Sequence, residues 1–538
     1  MDRLDWQRLA QQRPLASTGA AVPTLAELAI AAARDTPEAI AFIDGDRQLS
    51  FAAVLDEARS LASALWNLGL RPGDVLSFQL PNWAETAVIN LAAALGGYVC
   101  NPIVPIYRES ELLAILGDCR SRVLFVPGVW RGFDYAAMAQ RLAVHLPALQ
   151  AVVQVRGDGP QRYEQLLAAG REQPVSLPPV AADAVKLVMY TSGTTGPAKG
   201  VLHSHRSLPV SVLAAVGQWG LTRGDALLMP SPVTHATGYT VGLELPFALG
   251  LTTVLMARWN AVEALQLIEQ HRIAATVGAT PFLQELLAAM DATRRTRLPL
   301  RVFVCGGAAV PAELILRAGK RFAGYACRGY GATEVPFVTC GRRPSDPEAI
   351  GATTDGRVNG YEIRIVDAEQ RALARGCEGE IQVRGGSLFL GYSDPDATRA
   401  AFTADGYFCT GDLGVLAADD TLTITGRKKD LIIRGGENIS AKEIEDVLHQ
   451  HPLILEAAVV AAPCARLGEC VAAFVRTQDG ATLSADDVVA YVMRAGLAWQ
   501  KCPEHLRLVD ELPRTAAGKI RKDQLRARIR AELLAPAP

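Results

Sequence analysis

The sequence predicts an α/β protein in which a large N-terminal domain, made of layered α/β subdomains and a β-rich subdomain, precedes a small α+β C-terminal domain. The chain has 538 residues, which is more than a single hydrophobic core usually serves. As far as about residue 331, short apolar runs alternate with segments of helical periodicity, and this alternation is typical of a largely parallel sheet covered by helices. Beyond residue 350 two other patterns follow, so we expect at least two domains.

The elements of the N-terminal part can be placed by their periodicity. LSFAAVLDEARSLASALWNLG (49–69) has the apolar spacing of an amphipathic helix that ends at Gly69. DVLSFQL (74–80) is then typical of a strand and AETAVINLAAAL (84–95) of a second helix. LRVFVCGG (300–307) predicts a buried strand that opens into a glycine turn, after which Pro311 suits the start of a helix.

Two different patterns follow toward the C-terminus. The segments YEIRIVD (361–367), GEIQVRG (379–385) and LTITGR (422–427) predict short strands with glycine-rich turns, which indicate a β-rich subdomain. Beyond them, Ser440 and Glu443 have the spacing of a capping box for the helix AKEIEDVLHQ (441–450). Two strands, a helix from Ser484 and a basic terminal helix complete a unit of about a hundred residues, the size of a domain.

Charge and cysteine usage exclude several partners and locations. The formal net charge is -2, so we expect neither a nucleic acid nor an anionic membrane surface as a partner. The 10 cysteines are scattered without a C-x-x-C pair, which indicates neither a zinc site nor a disulfide framework and fits a reduced cytoplasmic location. No secretory h-region opens the chain, and no run approaches the ~18 apolar residues of a membrane span.

One short segment, YTSGTTGPAKG (190–200), points to a bound polyphosphate. It follows a predicted strand, AVKLVMY (184–190), and ligands bind where the chain leaves the strands of a parallel sheet. Its glycines let backbone N–H groups approach a ligand closely, its hydroxyl residues add donors, and Lys199 adds a positive charge. The segment lacks the G-K-[ST] ending of the common P-loop. Taken alone, it would more simply be a mobile surface loop.

Six further motifs follow this loop: SPVTHATGY (231–239), CGGAAVP (305–311), YGATE (330–334), YFCTGDLG (407–414), GRKKDLIIRGGENIS (426–440) and PRTAAGKIRK (513–522). In composition and order, the series resembles the motifs of the adenylate-forming superfamily. That superfamily comprises acyl- and aryl-CoA synthetases, peptide-synthetase adenylation domains and firefly luciferase. The resemblance covers nearly the whole chain, and six motifs in order leave little room for coincidence.

The resemblance implies a two-step reaction. A carboxylate attacks the α-phosphate of ATP to give an acyl-adenylate and pyrophosphate, and a thiol, usually that of coenzyme A (CoA), then displaces AMP. Catalysis of this kind is mostly positioning and charge neutralisation around phosphorus, a task that Mg²⁺ would share. The expected cofactors and co-substrates are therefore ATP, Mg²⁺ and CoA, and the expected partner is a small carboxylic acid.

Matching positions imply the contacts to the phosphates. The cradle for the β- and γ-phosphates would consist of Thr191, Ser192, Gly193, Thr194, Thr195, Gly196 and Lys199. Thr333 matches the threonine that bonds the α-phosphate, and Glu334 matches the carboxylate that binds Mg²⁺. Outside this series of motifs, Thr333 and Glu334 would equally suit a turn with a helix cap.

The adenosine contacts follow in the same way. Gly306, Gly307 and Ala308 resemble the strip that lies against adenine, and Tyr330, followed by Gly331, would stack on the other face. Asp412 matches the carboxylate that grips the ribose hydroxyls, and Arg427 matches a ribose or phosphate contact. Without the motif context, Tyr330 would be a core residue and Asp412 a turn residue.

The C-terminal motifs imply a mobile domain. Lys519 matches the catalytic lysine that bridges the acid and the α-phosphate, although alone it would belong to a solvated basic tail. Lys429 falls at the hinge position, so we expect an N-terminal domain over 1–426, a hinge at 427–429 and a mobile domain over 430–538. The segment Gly435, Gly436 and Glu437 would then swing in to line the tunnel for the CoA thiol.

The pocket for the acid is expected to be apolar. His235 matches a histidine or aromatic position beside the acyl group in CoA ligases, whereas a lone histidine is more often structural. Relatives that activate amino acids place an aspartate here, and none lies between Pro230 and Gly242. Residues expected to shape the remaining pocket are Gly238, Val304, Val335, Pro336 and Phe337.

These inferences predict an acid–CoA ligase that acts on an alicyclic, aromatic or short- to medium-chain aliphatic acid without an α-amino group. The sequence most resembles ligases for cyclohexanecarboxylate and medium-chain acids. The alternative is an acyl- or aryl-AMP ligase that loads a separate carrier protein. A luciferase-like oxidase and a non-catalytic nucleotide-binding protein are weaker alternatives, the latter because Lys199, Glu334, Asp412 and Lys519 are all intact. A homodimer is left open.

Overall fold

The computed structural model describes residues 22–191, 198–307, 310–435, 437–478, 481–515 and 519–534. Its two large mixed sheets, antiparallel four-stranded sheet and separate C-terminal α+β unit confirm the predicted α/β class. Within the described residues, no helix combines the length and apolar character that crossing a bilayer requires.

A seven-stranded sheet forms one layer of the N-terminal part. Six of its strands run parallel, and the last pairs antiparallel through a tight hairpin. In spatial order the strands are Tyr325–Gly329, Val302–Gly306, Ile273–Gly278, Ala226–Met229, Thr252–Leu255, Ile40–Asp44 and Arg47–Ser50.

In a second seven-stranded sheet, five neighbouring strands are parallel, and two further strands are added at one edge through antiparallel pairing. From that edge the strands are Gly391–Tyr392, Lys199–Ser204, Val185–Thr191, Val99–Pro102, Val75–Phe78, Val123–Pro127 and Ala151–Val155. The predicted strand before the phosphate loop is thus central, and its neighbour Lys199–Ser204 brings the chain back beside it.

Helices cover these two sheets, and one of them is buried on all sides. The helix Ala84–Gly96 has apolar residues on every face, which is the pattern of a helix enclosed in the core. The other helices of this part are Leu25–Asp35, Phe51–Asn67, Glu109–Asp118, Tyr135–Ala143, Tyr163–Glu172, Ser207–Trp219, Leu245–Leu249, Ala261–Gln270, Thr280–Ala292, Ala312–Arg321, Glu348–Thr353 and Pro395–Ala401, with a π-helix over Gly238–Glu244.

The predicted β-rich subdomain is a four-stranded antiparallel sheet. Its strands are Glu362–Val366, Glu378–Arg384, Phe408–Leu416 and Leu422–Arg427. A separate two-stranded hairpin pairs Val129–Trp130 with Phe133–Asp134. The last strand of the four-stranded sheet leads directly into the expected hinge.

The C-terminal unit has its own sheet and its own apolar clusters. Its strands are Glu437–Ser440, Leu431–Arg434, Gly468–Thr477, Ile454–Cys464 and His505–Leu508. The helices Ala441–Leu448, Ala485–Arg494 and Lys522–Leu534 cover it. Among the described residues, the two clusters that form its core contain side chains from residue 432 onward alone, so this part buries its apolar surface by itself.

Of the two hydrogen bonds of the predicted capping box at Ser440, only one forms. The Ser440 hydroxyl accepts a hydrogen bond from the backbone N–H of Glu443, as expected of an N-cap. The Glu443 carboxylate, however, is held by Lys501, whose Nζ lies 2.8 and 2.6 Å from its two oxygens. A full charge from a distant segment competes here with a neutral backbone donor, and the sequence spacing could not show this.

Candidate active site

A cavity of about 310 Å³ lies between the N-terminal part and the C-terminal unit. Tyr330, Asp412 and Arg427 line it from one side, and Lys519 and Arg526 line it from the other. Six predicted nucleotide or catalytic positions therefore meet one space: Gly307, Tyr330, Gly331, Asp412, Arg427 and Lys519. A cleft between two units, lined by convergent polar groups, is where ligand sites usually lie.

Asp412 is the centre of the cavity's polar contacts. It is buried in the strand Phe408–Leu416, and the register places it opposite Arg427 on the next strand. The Tyr330 hydroxyl donates to Asp412 Oδ2 at 2.6 Å, and Arg427 Nε donates to Oδ1 at 2.8 Å. Asp412 raises the pKa of Arg427, whereas burial and then Asp412 raise the pKa of Tyr330. The three predicted adenosine contacts thus form one fixed network.

Glu334 and Thr333 lie in the turn region after the strand Tyr325–Gly329, and each is held by a residue that the sequence did not single out. Tyr392 donates its hydroxyl to Glu334 Oε1 at 2.9 Å. The ring of His203 bonds the Thr333 carbonyl oxygen through Nε2 at 2.7 Å. Burial lowers the pKa of His203 to about 4, so the neutral ring donates from Nε2. Because Val201 pairs with Tyr392, both holders lie at one sheet edge.

The predicted phosphate loop is described only at its two ends. Thr191 ends one strand and pairs with Lys199, which begins the next. The Nζ atom of Lys199 lies 5.3 Å from the centroid of the Tyr392 ring, within cation–π range. The predicted contacts Ser192, Gly193, Thr194, Thr195 and Gly196 lie outside the described residues, as do Ala308 and Gly436.

Glycine is required at two positions of the predicted adenine strip, Gly306 and Gly307, and at Gly331 after Tyr330. A Cβ atom on Gly306 would lie 2.6 Å from the carbonyl oxygen of Gly329, and one on Gly331 would lie 2.7 Å from the backbone nitrogen of Phe337. Gly307 has φ +82°, which side chains disfavour. Neighbouring backbones therefore approach closely here and leave the cavity wall flat.

Lys519 is where the C-terminal unit meets the N-terminal groups. Its backbone carbonyl accepts from the Thr515 N–H at 2.7 Å. Lys519 is exposed, and it lines the cavity. Burial and then the Arg427 charge lower the pKa of Lys519, while Asp412 and Glu334 act to raise it.

His235 faces the same ammonium group. Burial and, second, the charge of Lys519 lower the pKa of His235 to about 4, so its ring is neutral at physiological pH. Among the residues that the structure describes, none hydrogen-bonds the buried Nε2 of His235. Lys519 is thus near enough to the predicted site residues His235, Glu334 and Asp412 to interact electrostatically with each of them.

The remaining predicted pocket residues are buried or half-buried. Val304 is buried in the strand Val302–Gly306, and Phe337 packs edge-to-face on Trp219 with their ring centroids 6.0 Å apart. The Pro336 carbonyl accepts from the Tyr361 hydroxyl at 2.7 Å, and Val335 is buried. Gly238 is buried at the start of the π-helix, where a Cβ atom would lie 2.1 Å from the Pro232 carbonyl oxygen.

A buried ion pair joins this helix to the strand that leads to the phosphate loop. Lys186, in the strand Val185–Thr191, pairs with Glu244 at the end of the π-helix, and neither side chain is more than 2% exposed. The Tyr239 hydroxyl also lies 3.2 Å from Lys186 Nζ. π-Helices are rare and occur mostly at functional sites. The pair ties the end of the π-helix to the strand that precedes the predicted phosphate loop.

The hinge and CoA positions lie at the start of the C-terminal unit. Lys429 lies in the 3₁₀ turn Lys428–Asp430 and lines the cavity. Burial and then the charge of Arg427 lower the pKa of Lys429. Gly435 and Glu437 flank the turn between the strands Leu431–Arg434 and Glu437–Ser440. Neither lines the cavity, so their contact with CoA stays a prediction that requires domain rotation.

Comparison with known proteins gives matches over both parts of the chain. A model described as AMP-binding enzyme matches residues 30–393, and a model of the AMP-binding enzyme C-terminal domain matches residues 443–519. The chain is 37% identical over 511 residues to a medium-chain fatty-acid–CoA ligase of Escherichia coli (strain K12), covering 93% of this chain and 89% of that protein.

Two further similarities extend this result. A 3-[(3aS,4S,7aS)-7a-methyl-1,5-dioxo-octahydro-1H-inden-4-yl]propanoyl:CoA ligase of Rhodococcus jostii (strain RHA1) is 34% identical over 509 residues, covering 92% of this chain and 96% of that one. The crystal structure of ATP-bound MatB from Rhodopseudomonas palustris superposes with a TM-score of 0.84 at 26% identity, covering 94% of this chain and 98% of that chain.

Proposed function

The chain belongs to the AMP-binding enzyme family and is an AMP-forming acyl-CoA synthetase, and on that premise we propose that it joins an apolar carboxylic acid without an α-amino group to CoA. The resemblance to the adenylate-forming superfamily is thereby confirmed. The observation that supports the proposed mechanism best is the position of Lys519, whose charge acts on Asp412, Glu334 and His235 together.

In the first step the acid's carboxylate attacks the α-phosphorus of ATP, the bond to the pyrophosphate breaks, and acyl-AMP forms. Lys519 bridges the incoming carboxylate and the α-phosphate. Its positive charge offsets the repulsion between these two negatively charged groups as they approach each other. Asp412 binds the ribose hydroxyls, because Tyr330 and Arg427 hold its two oxygens in a fixed orientation. Thr333, whose carbonyl is held by His203, bonds the α-phosphate.

Glu334 fits the Mg²⁺ that this reaction implies. The Tyr392 hydroxyl contacts Oε1 and leaves Oε2 available, and Mg²⁺ is usually bound through one or two carboxylates together with substrate phosphates. When bound, the cation supplies charge neutralisation at the phosphates. Lys199 supplies further positive charge from the strand beside Tyr392, on the β- and γ-phosphate side.

In the second step the CoA thiol displaces AMP from the acyl-adenylate. Lys519 is no longer needed at the phosphate, so the C-terminal domain (430–538) turns about Lys429 and brings Gly435 and Glu437 to the site. The separate apolar clusters of this domain support a rigid-body motion, because it can move without opening a core.

The proposed acid class rests on the surroundings of His235. The ring of His235 is neutral, the predicted pocket residues Val304 and Phe337 are apolar, and the segment from Pro230 to Gly242 contains no aspartate that could pair an ammonium group. The medium-chain fatty-acid and indenyl-propanoyl ligases named above suggest a panel of medium-chain, polycyclic and aromatic acids. We expect at least one apolar acid of this panel to be the substrate.

The test is a pyrophosphate-release screen over that panel, with matching amino acids added, each with and without CoA. Release with an apolar acid that turns over repeatedly only when CoA is present would support the proposal. Release that stops after about one turnover despite CoA would contradict it and favour a carrier-protein acceptor. Lys519→Ala should slow release about 10²–10³-fold, whereas Lys501→Ala, a control at a lysine paired with Glu443 outside the cavity, should not slow it.

A further inference from the structure

Two cysteines and a glutamate converge in the C-terminal unit, away from the active-site cavity. Cys464 ends the strand Ile454–Cys464 and pairs with Gly468, while Cys470 lies two residues farther along the partner strand. Side chains two residues apart point to the same face of a sheet, so the two thiols are diagonal neighbours. Glu504 precedes the adjoining strand His505–Leu508, and its N–H donates to the Val471 carbonyl at 2.9 Å.

The fold brings one donor atom from each of these residues into a single cluster. The two sulfur atoms and a carboxylate oxygen of Glu504 all lie within 4.8 Å of one another. Cys470 is buried, Cys464 is half-buried and Glu504 is exposed, so the cluster has one open side. In the sequence, by contrast, the two cysteines are separated by five residues and Glu504 lies far beyond them.

Arg434 orients the carboxylate of this cluster. Its Nε and Nη2 atoms donate to the same oxygen, Glu504 Oε1, at 2.9 and 2.7 Å. The other oxygen, Oε2, takes no part in these two hydrogen bonds. Metal-ligating carboxylates are commonly held in this way by an outer hydrogen-bond donor. A disulfide between the cysteines would need neither Glu504 nor Arg434.

We propose that Cys464, Cys470 and Glu504 form a site for a thiophilic divalent cation, with Zn²⁺ as the best fit. Two thiolates and one carboxylate carry three negative charges, which Zn²⁺ and the neighbouring Arg434 balance. Each thiol loses its proton to solvent as its Zn–S bond forms, and water fills the fourth tetrahedral position on the open side. Thiolates also distinguish this site from Glu334, whose carboxylate suits Mg²⁺.

The dimensions suit such an ion after small side-chain rotations. Zinc–sulfur bonds of about 2.3 Å place two ligand atoms of a tetrahedral site roughly 3.8 Å apart. The half-buried Cys464 and the exposed Glu504 can close the remaining gap, whereas the buried Cys470 stays in place. The ion would hold the turn between Cys464 and Gly468 against the strand His505–Leu508. In that turn, Leu467 accepts from the Gly435 N–H at 2.8 Å.

The test is a Co²⁺ titration of the full-length chain, reduced and freed of metals with a chelator. We expect one Co²⁺ per chain to give a thiolate-to-cobalt charge-transfer band, which one equivalent of Zn²⁺ removes. Cys464→Ser and Cys470→Ser should each abolish the band, while the control Cys377→Ser, at an exposed cysteine, should keep it in full. Arg434→Lys should weaken binding about 10–100-fold, because it alters an outer partner of a ligand.

Thermal unfolding of each metal-free variant shows whether that variant is folded. If Cys470→Ser is not folded, the Co²⁺ titrations of Cys464→Ser and Glu504→Gln decide the outcome. Absence of the band in the wild-type chain would overturn the proposal. So would a band that survives in Cys464→Ser. Formation of a Cys464–Cys470 disulfide with oxidised glutathione, in a chain whose reduced form ignores Co²⁺, would replace the cation site with a redox pair. The inference is independent of the acid that the enzyme activates.

Discussion

Tyr392→Phe tests whether the group that holds Glu334 matters for adenylation. Tyr392 contacts two predicted ATP-site residues, since its hydroxyl donates to Glu334 Oε1 at 2.9 Å and its ring lies 5.3 Å from Lys199 Nζ. Phenylalanine keeps the ring and its packing on Phe389, whose centroid is 4.9 Å away. The substitution therefore removes one hydrogen bond to a carboxylate and leaves the rest of the contact in place.

The size of the effect follows from the partner's charge and its half-buried position. A hydrogen bond to a charged group contributes about 1.5–3 kcal/mol, and loss of an outer partner of a metal ligand costs about 10–100-fold. Because water can partly replace the hydroxyl beside the half-buried Glu334, we take the lower end, about 1.4 kcal/mol. That value corresponds to about a tenfold fall in kcat/KM for ATP.

The assay is pyrophosphate release at saturating acid with ATP varied, followed by the same series at rising Mg²⁺. Tyr361→Phe is the matched control, because Tyr361 lies in the same apolar cluster and its hydroxyl donates to the Pro336 carbonyl at 2.7 Å, not to Glu334. Each variant should lose about 1 kcal/mol of unfolding free energy, so a stability effect alone would appear in both.

A fall in kcat/KM for ATP that is no larger in Tyr392→Phe than in Tyr361→Phe would refute this reasoning. A fall confined to the KM of the acid would do the same, because Tyr392 has been assigned to the phosphate side. If the assignment is correct, extra Mg²⁺ should restore part of the loss in Tyr392→Phe and none in the control.

Four other predictions concern Lys519, Lys429 and the buried pair of Lys186 and Glu244. Lys519→Ala should slow adenylation about 10²–10³-fold and spare thioester formation from supplied acyl-adenylate; equal loss of both steps, measured separately, would contradict its role. Burial and Arg427 lower the pKa of Lys519, and above its pKa a lysine loses its positive charge. In alkaline solution, kcat/KM for ATP should therefore begin to fall at a pH below the usual lysine pKa of about 10.4. Lys519→Arg should remove that fall. Lys429→Pro should stiffen the hinge, keep pyrophosphate release from the first turnover and block CoA transfer, and full overall turnover would argue against the hinge. Glu244→Gln should leave Lys186 as a buried unpaired charge and destabilise the N-terminal part by about 3–5 kcal/mol, measured by denaturant unfolding; a change under about 1 kcal/mol would show that the pair is dispensable.

Most helices and strands could be predicted because the pattern of one short segment is enough to specify each of them. The predicted helix over 49–69 appears at Phe51–Asn67, and the predicted strands over 361–367 and 422–427 appear at Glu362–Val366 and Leu422–Arg427. Periodicity fixes such elements, because burial of one face depends on spacing along the chain. Only one of the two hydrogen bonds of the capping box at Ser440 forms, because the Glu443 carboxylate binds Lys501, which is 58 positions away in the sequence.

The candidate site divides in the same way. Tyr330, Asp412 and Arg427 could be singled out because each lies in a local motif, and the fold places them in direct contact. His203 and Tyr392 could not, since His203 is 130 positions from the Thr333 carbonyl that it holds and Tyr392 is 58 positions from Glu334. No local spacing encodes a contact that forms only when two sheet strands and a turn meet.

By itself, then, the sequence predicted the α/β class, because local periodicity specifies helices and strands. The resemblance of its motifs indicated the family, and the two-step chemistry is what that resemblance implies. The tertiary structure alone decided which groups converge. It placed Lys519 of one unit in the same cavity as Asp412 of the other. It also gathered Cys464, Cys470 and Glu504 beside Arg434, where scattered cysteines had indicated no metal site. The physical reason is that charge and coordination act over a few ångströms of space, and only the folded chain sets those distances.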